Sequence, residues 1–327
     1  MRCIVTGATG FIGSHLTEFL SNNGSEVICP VRNINRLRYL KSIEARVITF
    51  ENLEYELAKN NKLDYVFHLA GATRALDYAG YRAANVDLTK YFLDLILNKV
   101  DLKFFKRFVF VSSQAVSGPA SSPDSFITEQ DPPNPISLYG RSKMEAEIIV
   151  RQYGVHIPYV IIRPSTVFGP YDIDVLGVFK SCKYRIAPCL TGKNRKVSVI
   201  FVKDLVRGIK TAAFSERSTR GTYFITDPEP VVWRDFIREI ANVMGVRVFI
   251  LPIPGFILRF LGLGADILGK FSGKPFLFRT EKIDEMDQWF WVCSSERARI
   301  DFGWAPQNSL RDNLQKTFDW YKKEGWL

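Results

Sequence analysis

Thr6-Gly7-Ala8-Thr9-Gly10-Phe11-Ile12-Gly13 is the stretch on which the fold turns. It follows a short apolar run, Cys3–Thr6, and opens an amphipathic stretch over 12–22. Glycine at 7 and 10 lets the chain turn tightly with no Cβ in the way of a bound group, and glycine at 13 lets the following helix pack closely. The N-terminus of that helix offers free N–H groups and the positive end of a dipole, which suits a pyrophosphate.

Outward from the turn the pattern repeats. Glu26–Val31, Arg46–Phe50, Tyr65–Leu69, Phe108–Ser112 and Tyr159–Ile162 are short and rich in Val, Ile or Phe, as strands buried on both faces are. Helical patterns lie between them at 34–42, 53–60, 81–98 and 137–153. Strand and helix in alternation predict right-handed crossovers and a doubly wound parallel sheet, an α/β fold with helices on both faces. After Arg163-Pro164 the alternation becomes irregular. Val197–Val202 and Lys203–Phe214 read as one more strand and helix, Thr222–Thr226 as a strand, and Val232–Met244 and Leu310–Tyr321 as helices. The expected division is a nucleotide-binding unit over 1–165, rejoined by 196–226, and a smaller, mostly helical substrate-binding region over 166–195 and 227–327.

With 46% hydrophobic and 24% charged residues over 327 positions, the chain is too apolar for intrinsic disorder. Its formal charge of +10 suits a phosphate-bearing ligand, an anionic lipid or nucleic acid. No nucleic-acid recognition module accompanies the charge, so no such partner is expected. Five cysteines are scattered without a C-x-x-C pair, and three histidines without H-E-x-x-H. Neither a disulfide framework nor a metal site is expected. The N-terminus enters a strand pattern at once, without the apolar region of a signal peptide, so a cytoplasmic location or the cytosolic face of a membrane is expected.

The second strand pattern ends at Val31, and Arg32, Arg36 and Arg38 follow with no acid between Pro30 and Lys41. A carboxylate at that place accepts ribose hydroxyls, whereas a guanidinium pairs with a 2′-phosphate. Arg32 therefore predicts NADP in preference to NAD. A basic helix end facing water is the plainer alternative.

Tyr139-Gly140-Arg141-Ser142-Lys143 begins a helical pattern. Tyr139 and Lys143, four apart, share one helix face. An ammonium near a phenol favours the phenolate, so the pair predicts a Tyr pKa lowered toward working pH and a general acid or base for hydroxyl/carbonyl interconversion. The strand pattern that ends at Val111-Ser112-Ser113-Gln114 brings a hydroxyl to the same edge of the sheet. Ser113 is expected to hold the substrate oxygen; capping of the next turn is its plainer role.

Together these residues resemble the extended short-chain dehydrogenase/reductase superfamily, the NAD-dependent epimerase/dehydratase family. The matching pieces are TGATGFIG at 6–13, HLAG at 68–71, NVDLT at 85–89, VSSQAVSG at 111–118, YGRSK at 139–143 and RPSTVFGP at 163–170. The resemblance implies a Rossmann domain with a small-molecule substrate, and an active site of Asn85, Ser113, Tyr139 and Lys143. It also implies a cofactor lined by Gly7, Thr9, Gly10, Phe11, Ile12, Gly13, Leu69, Ala70, Gly71, Pro164 and Val167, with Tyr139 and Lys143. The family's Asp-hydrophobic pair near the adenine reads Asn52-Leu53 here.

The S-S-x-x-V-x-G-P form at 112–119, with Pro230, Trp233 and Phe236, is similar to the 3β-hydroxysteroid and sterol dehydrogenase branch and to dihydroflavonol-type reductases. That similarity implies hydride transfer to or from a carbonyl or hydroxyl carbon of a lipid-, sterol- or isoprenoid-like substrate. Many nucleotide-sugar dehydratases carry an Asp-Glu pair where this chain has Gln114-Ala115, which disfavours dehydration. An NAD-dependent nucleotide-sugar epimerase stays open, with Arg185, Lys193, Arg195, Lys196 and Arg279 as candidates for a diphosphate. A cofactor-binding protein without turnover is a third class, against which the intact Ser113, Tyr139 and Lys143 argue. The apolar stretch 248–278, broken by Arg259 and Asp266, is too interrupted to span a bilayer. It reads as a cover over an apolar pocket or as a peripheral membrane contact. A homodimer through the 81–98 and 137–153 helices is the alternative to their packing in the core.

Overall fold

A computed structural model describes residues 1–192, 194–272 and 280–327. The apolar runs form β1 (Arg2–Thr6), β2 (Glu26–Val31), β3 (Arg46–Thr49), β4 (Tyr65–His68), β5 (Arg107–Val111) and β6 (Tyr159–Pro164). With Thr222–Ile225 beside β6 they make one seven-stranded parallel sheet, in the order Thr222–Ile225, β6, β5, β4, β1, β2, β3. The chain steps outward from β1 to β3 and then returns to the other side of β1. This reversal leaves a crevice beyond the C-terminal ends of β1 and β4, where such sheets bind ligands.

Successive residues on each strand feed opposite cores, and this makes the runs continuously apolar. Val5, Val109 and Val160 face a cluster with Leu16, Leu205 and Ile209 of α1 (Phe11–Asn22) and the Val202–Phe214 helix. Ile4, Phe108 and Ile161 face the other, with Phe92, Ile96, Ala146 and Val150. The Leu88–Lys99 and Leu138–Tyr153 helices thus spend their apolar faces in the core.

Three expectations change. The 34–42 helix is only a 3₁₀ turn over Arg38–Ser42. Asn33 Oδ1 accepts from the Asn35 N–H at 2.8 Å, a local bond that competes with helix. The 197–202 strand breaks at Ser198: Lys196–Val197 pairs with Val231–Val232 and Phe290–Trp291, whereas Val199–Phe201 pairs with Thr166–Phe168. The 81–98 helix starts at Tyr78 and runs as a π-helix over Arg82–Asp87.

The second half has its own core, in which Phe168, Phe179, Phe201, Phe236, Leu314 and Tyr321 meet. Around it lie the Leu176–Lys183, Trp233–Val243 and Leu310–Lys323 helices and a parallel ribbon of Ile186–Leu190 with Phe249–Ile253. Gly255–Ser272 and Thr280–Asp287, a helix pair, follow the ribbon.

Candidate active site

The glycine turn lies at the mouth of the crevice. Gly7 has φ of +70°, and a Cβ on it would stand 2.7 Å from the Ala70 nitrogen. A Cβ on Gly13 would stand 2.2 Å from the Gly7 carbonyl oxygen. The turn, the end of β4 and the first turn of α1 are therefore locked together, with no acid in that first turn. The N–H groups of a first helical turn have no partner within the helix, so the cradle fits a dinucleotide pyrophosphate. Thr9, Gly10, Phe11 and Ile12 at the turn, and Leu69 and Ala70 facing it, are all partly exposed. Gly71 and Asn52 are exposed, and Val167 is partly so. Leu53, 0% exposed in the core, offers no surface to a cofactor, against the role expected of it, and Pro164 is buried at the end of β6. Arg32 and Arg36 follow β2 on the surface, and of Arg38 only the backbone is described.

A hydrogen-bond chain braces this mouth. Thr6 Oγ1 accepts from the N–H groups of Leu69 (3.2 Å) and Ala70 (3.0 Å), so its own proton goes to His68 Nδ1 at 2.9 Å. Thr89 Oγ1 donates to the Asn85 carbonyl at 2.6 Å and receives the His68 Nε2 hydrogen at 3.1 Å. Burial, with the Lys143 ammonium adding to it, pushes the imidazole down to about 3, so it stays neutral. The tautomer is thereby fixed.

Tyr139 stands in the first turn of the Leu138–Tyr153 helix. Ser137 caps that helix, accepting from Gly140 N at 3.1 Å, and Glu281 Oε1 accepts from Tyr139 N at 3.0 Å. A Cβ on Gly140 would lie 2.5 Å from the Ala115 carbonyl oxygen, so glycine is what lets the helix rest on the turn that carries Ser113. The Ser113 hydroxyl accepts from Ala115 N at 3.1 Å and also hydrogen-bonds the Tyr139 phenol. The capping role expected for it is therefore present, beside a bond to the tyrosine.

Burial pushes the Tyr139 phenol up to about 12, against the pull of Ser113, and Glu285 acts with burial. The expected lowering by Lys143 is absent from this state. The Lys143 ammonium is turned away to the Val111 carbonyl at 2.7 Å, 4.5 Å from the Phe110 ring centroid. Burial pushes Lys143 down to about 8, and Glu147 works in the opposite direction.

Asn85 is a brace. Its Oδ1 accepts from Ala72 N at 2.8 Å, and its Nδ2 donates to the Ala72 carbonyl at 3.0 Å and to Ser142 Oγ at 2.8 Å. It ties the loop after β4 to the tyrosine helix, and the π-helical segment aims it there. The direct catalytic role expected of it becomes, here, one of holding the frame.

Two sets of residues escaped the sequence reading. Glu147, fully buried, accepts from Ser112 Oγ (2.6 Å), Arg163 Nε (2.9 Å), Arg163 Nη2 (2.7 Å) and Arg151 (2.9 Å). Burial alone would raise its carboxyl; Arg163 outweighs that and holds it below the usual range. Its signal was the spacing, since Tyr139, Lys143 and Glu147 are successive fours. Glu281, which accepts from Tyr139 N, and Glu285, whose charge acts on the Tyr139 phenol, come from the second half of the chain and left no signal. Gln114, beside Ser113, is buried, and its Nε2 has no partner among the described residues.

The sequence model of the NAD dependent epimerase/dehydratase family matches residues 3–225. A seven-stranded parallel sheet, a phosphate cradle at its reversal and a Ser–Tyr–Lys set at its C-terminal edge are what that match covers. The chain belongs to this family, whose extended short-chain members are NAD(P)-dependent enzymes. It is 28% identical over 330 residues to the ceramide reductase of Caulobacter vibrioides, covering 99% of this chain and 95% of that one. It is also 28% identical over 266 residues to a 4-hydroxy-2-methyl-3-oxo-4-farnesyl-3,4-dihydroquinoline-1-oxide ketoreductase of Stigmatella aurantiaca, covering 78% of this chain and 76% of that one. The structure of UDP-glucuronic acid 4-epimerase from Bacillus cereus, with UDP-glucuronic acid and NAD, superimposes with a TM-score of 0.77 at 22% identity, covering 99% of this chain and all of that one.

Proposed function

We propose that this protein is an NADP-dependent oxidoreductase that interconverts a carbonyl and a hydroxyl carbon of a lipid-like substrate. The observation that carries this reading is the charge around Tyr139. Glu281 accepts from Tyr139 N at 3.0 Å and the charge of Glu285 acts on the Tyr139 phenol, while Arg195 and Lys196, two of the cations considered for a nucleotide diphosphate, are committed elsewhere. Arg195 donates to the Leu190 and Thr191 carbonyls (3.2 and 3.0 Å) and to Asp287 (3.2 Å). Lys196 pairs with Asp124 at 3.2 Å, and Arg185 stands exposed. Lys193 and Arg279 lie outside the described residues. Carboxylates beside a reacting centre repel a diphosphate and suit a neutral substrate with hydroxyl or amide hydrogens. The relatives named for reducing ceramide and a farnesyl-bearing ketone support a lipid.

When bound, the nicotinamide supplies or accepts the hydride. Gly7, Gly10 and the α1 N-terminus would hold its pyrophosphate, and Arg32 a 2′-phosphate. Ser113 holds the carbonyl oxygen, and Tyr139, protonated at neutral pH, gives that oxygen its proton. Lys143, charged below about 8, supports the phenolate left behind.

Titration of the purified protein with NADPH and NADH, read by nicotinamide fluorescence, tests the cofactor. The expected result is a preference for NADPH of tenfold or more, abolished in Arg32→Asp, from loss of a pair worth ~1.5–3 kcal/mol. NAD retained through purification, with no NADPH preference, would overturn it and bring the nucleotide-sugar epimerase forward.

A further inference from the structure

We infer that the face built from Ile186–Leu190, Phe249–Ile253 and Gly255–Ser272 docks on an anionic lipid bilayer. The inference stands on that surface alone and does not depend on the proposed reaction.

The Gly255–Ser272 helix is inverted relative to a helix on a water-facing surface, which turns its wide apolar side inward. Its small side faces the protein. Gly262 and Gly269 are buried, and a Cβ on Gly262 would come within 2.5 Å of Ile283 Cδ1 and 3.0 Å of Thr280 N. Its large side chains face out: Phe256 is 63% exposed, Phe260 73% and Phe271 87%. The ribbon before it continues the surface. Ala187 and Cys189 face the core, whereas Ile186, Pro188, Phe249 and Leu251 are exposed. A contiguous patch of this kind exceeds the scattered apolar residues of ordinary surfaces and marks an interaction site.

Charge selects the occupant. Residues 176–190 and 246–260 carry Lys180, Lys183, Arg185, Arg247 and Arg259 and not one acid. Arg259 pairs with Asp284 at 2.9 Å; Lys180, Lys183, Arg185 and Arg247 are exposed. A second copy meeting this face about a twofold axis would set the same cations against each other. Phospholipid headgroups of negative charge match them, and acyl chains take the aromatic and aliphatic side chains. No helix among the described residues is long and apolar enough to cross a membrane, so the helix lies in the plane of the interface. Behind it, the Thr280–Asp287 helix carries Glu281 to Tyr139, so the docked face is one helix layer from the active site.

Sedimentation of the full chain with phosphatidylcholine vesicles containing phosphatidylglycerol, against phosphatidylcholine alone, tests this. Most of the protein is expected to pellet with the anionic vesicles, and several-fold less with neutral ones or in high salt. The double variant Phe260→Glu/Phe271→Glu should remain in the supernatant with an unchanged circular dichroism spectrum and melting midpoint, since both positions are already exposed. Lys183→Glu/Arg247→Glu should weaken the anionic preference and leave the protein folded. Failure of the wild type to pellet with either vesicle would overturn the inference. So would pelleting that neither double variant reduces, or a wild-type dimer that Phe260→Glu/Phe271→Glu converts to monomer. The readout involves no turnover, so its failure leaves the proposed reaction standing, and an inactive but vesicle-bound protein would do the reverse.

Discussion

Lys143 is pulled two ways. Burial works against its charge and pushes it down to about 8, while Glu147, one turn on, favours the ammonium. Below about 8 the ammonium is present and can support the developing phenolate of Tyr139; as pH rises through that value the support is lost. The rate of carbonyl reduction should therefore be level near pH 7 and fall above about 8, and Lys143→Arg, charged throughout, should push the fall to higher pH. A rate profile from pH 6 to 10 checks this, and a level profile to pH 10 would remove Lys143 from the reaction. The four-residue spacing made it legible that Tyr139 and Lys143 share a helix face. Where the ammonium points was not legible, because the Val111 carbonyl that takes it belongs to β5, a different element.

At the scale of elements, the Leu138–Tyr153 helix owes its seat to three contacts: the Ser137 cap, the Glu281 carboxylate on Tyr139 N, and the close approach at Gly140. Gly140→Ala puts a carbon 2.5 Å from the Ala115 oxygen, so the helix or the Ser113 turn must move. A loss of ~1–3 kcal/mol in stability and of roughly 10–100-fold in kcat is expected, because a displacement of 1 Å is costly at a reacting centre. Thermal melts and steady-state rates of that variant measure both; wild-type values for both would show that the close approach does not seat the helix. The sheet strands and the tyrosine helix could be read from sequence because both faces of the sheet are buried and apolar periodicity reports burial. The Gly255–Ser272 helix was legible only as an apolar stretch with an inward and an outward reading both open, and the Thr280–Asp287 helix was not legible at all. The first turns its large apolar side chains outward, and the second is largely charged. Apolar periodicity alone does not tell an inward from an outward apolar face, and it is silent on a charged helix.

Across the whole molecule, two buried histidines join separate elements as neutral bases. His68 links β1 and β4 to the helix that carries Asn85; His15 on α1 meets the Pro170 carbonyl at 2.9 Å. Burial pushes His15 down to about 4 and His68 to about 3, from an ordinary 6.5. Between those values and 6.5 the unfolded chain binds protons that the folded chain refuses, so stability falls as pH drops below 6.5. The loss should be of the order of 2 kcal/mol per histidine at pH 5. Urea unfolding at pH 7 and pH 5 measures it. Asp172, which burial pushes up to about 7, works in the opposite direction over the same range, so the histidine share is read from the variant. His15→Gln should lessen the loss at pH 5 by about 2 kcal/mol, and an unchanged difference between the two pH values in that variant would contradict the neutral assignment.

The proposed hydride transfer to a lipid carbonyl needs the cradle, the tyrosine helix and the second region together. The most direct test follows NADPH consumption with a long-chain lipid ketone in mixed micelles, in the wild type and in Tyr139→Phe, with UDP-glucuronic acid as the competing substrate. Ketone-dependent consumption is expected in the wild type. In Tyr139→Phe it should fall by about 10²–10⁴-fold, with cofactor binding unchanged. Interconversion of the UDP sugar without net NADPH consumption, or an unimpaired Tyr139→Phe, would contradict the account.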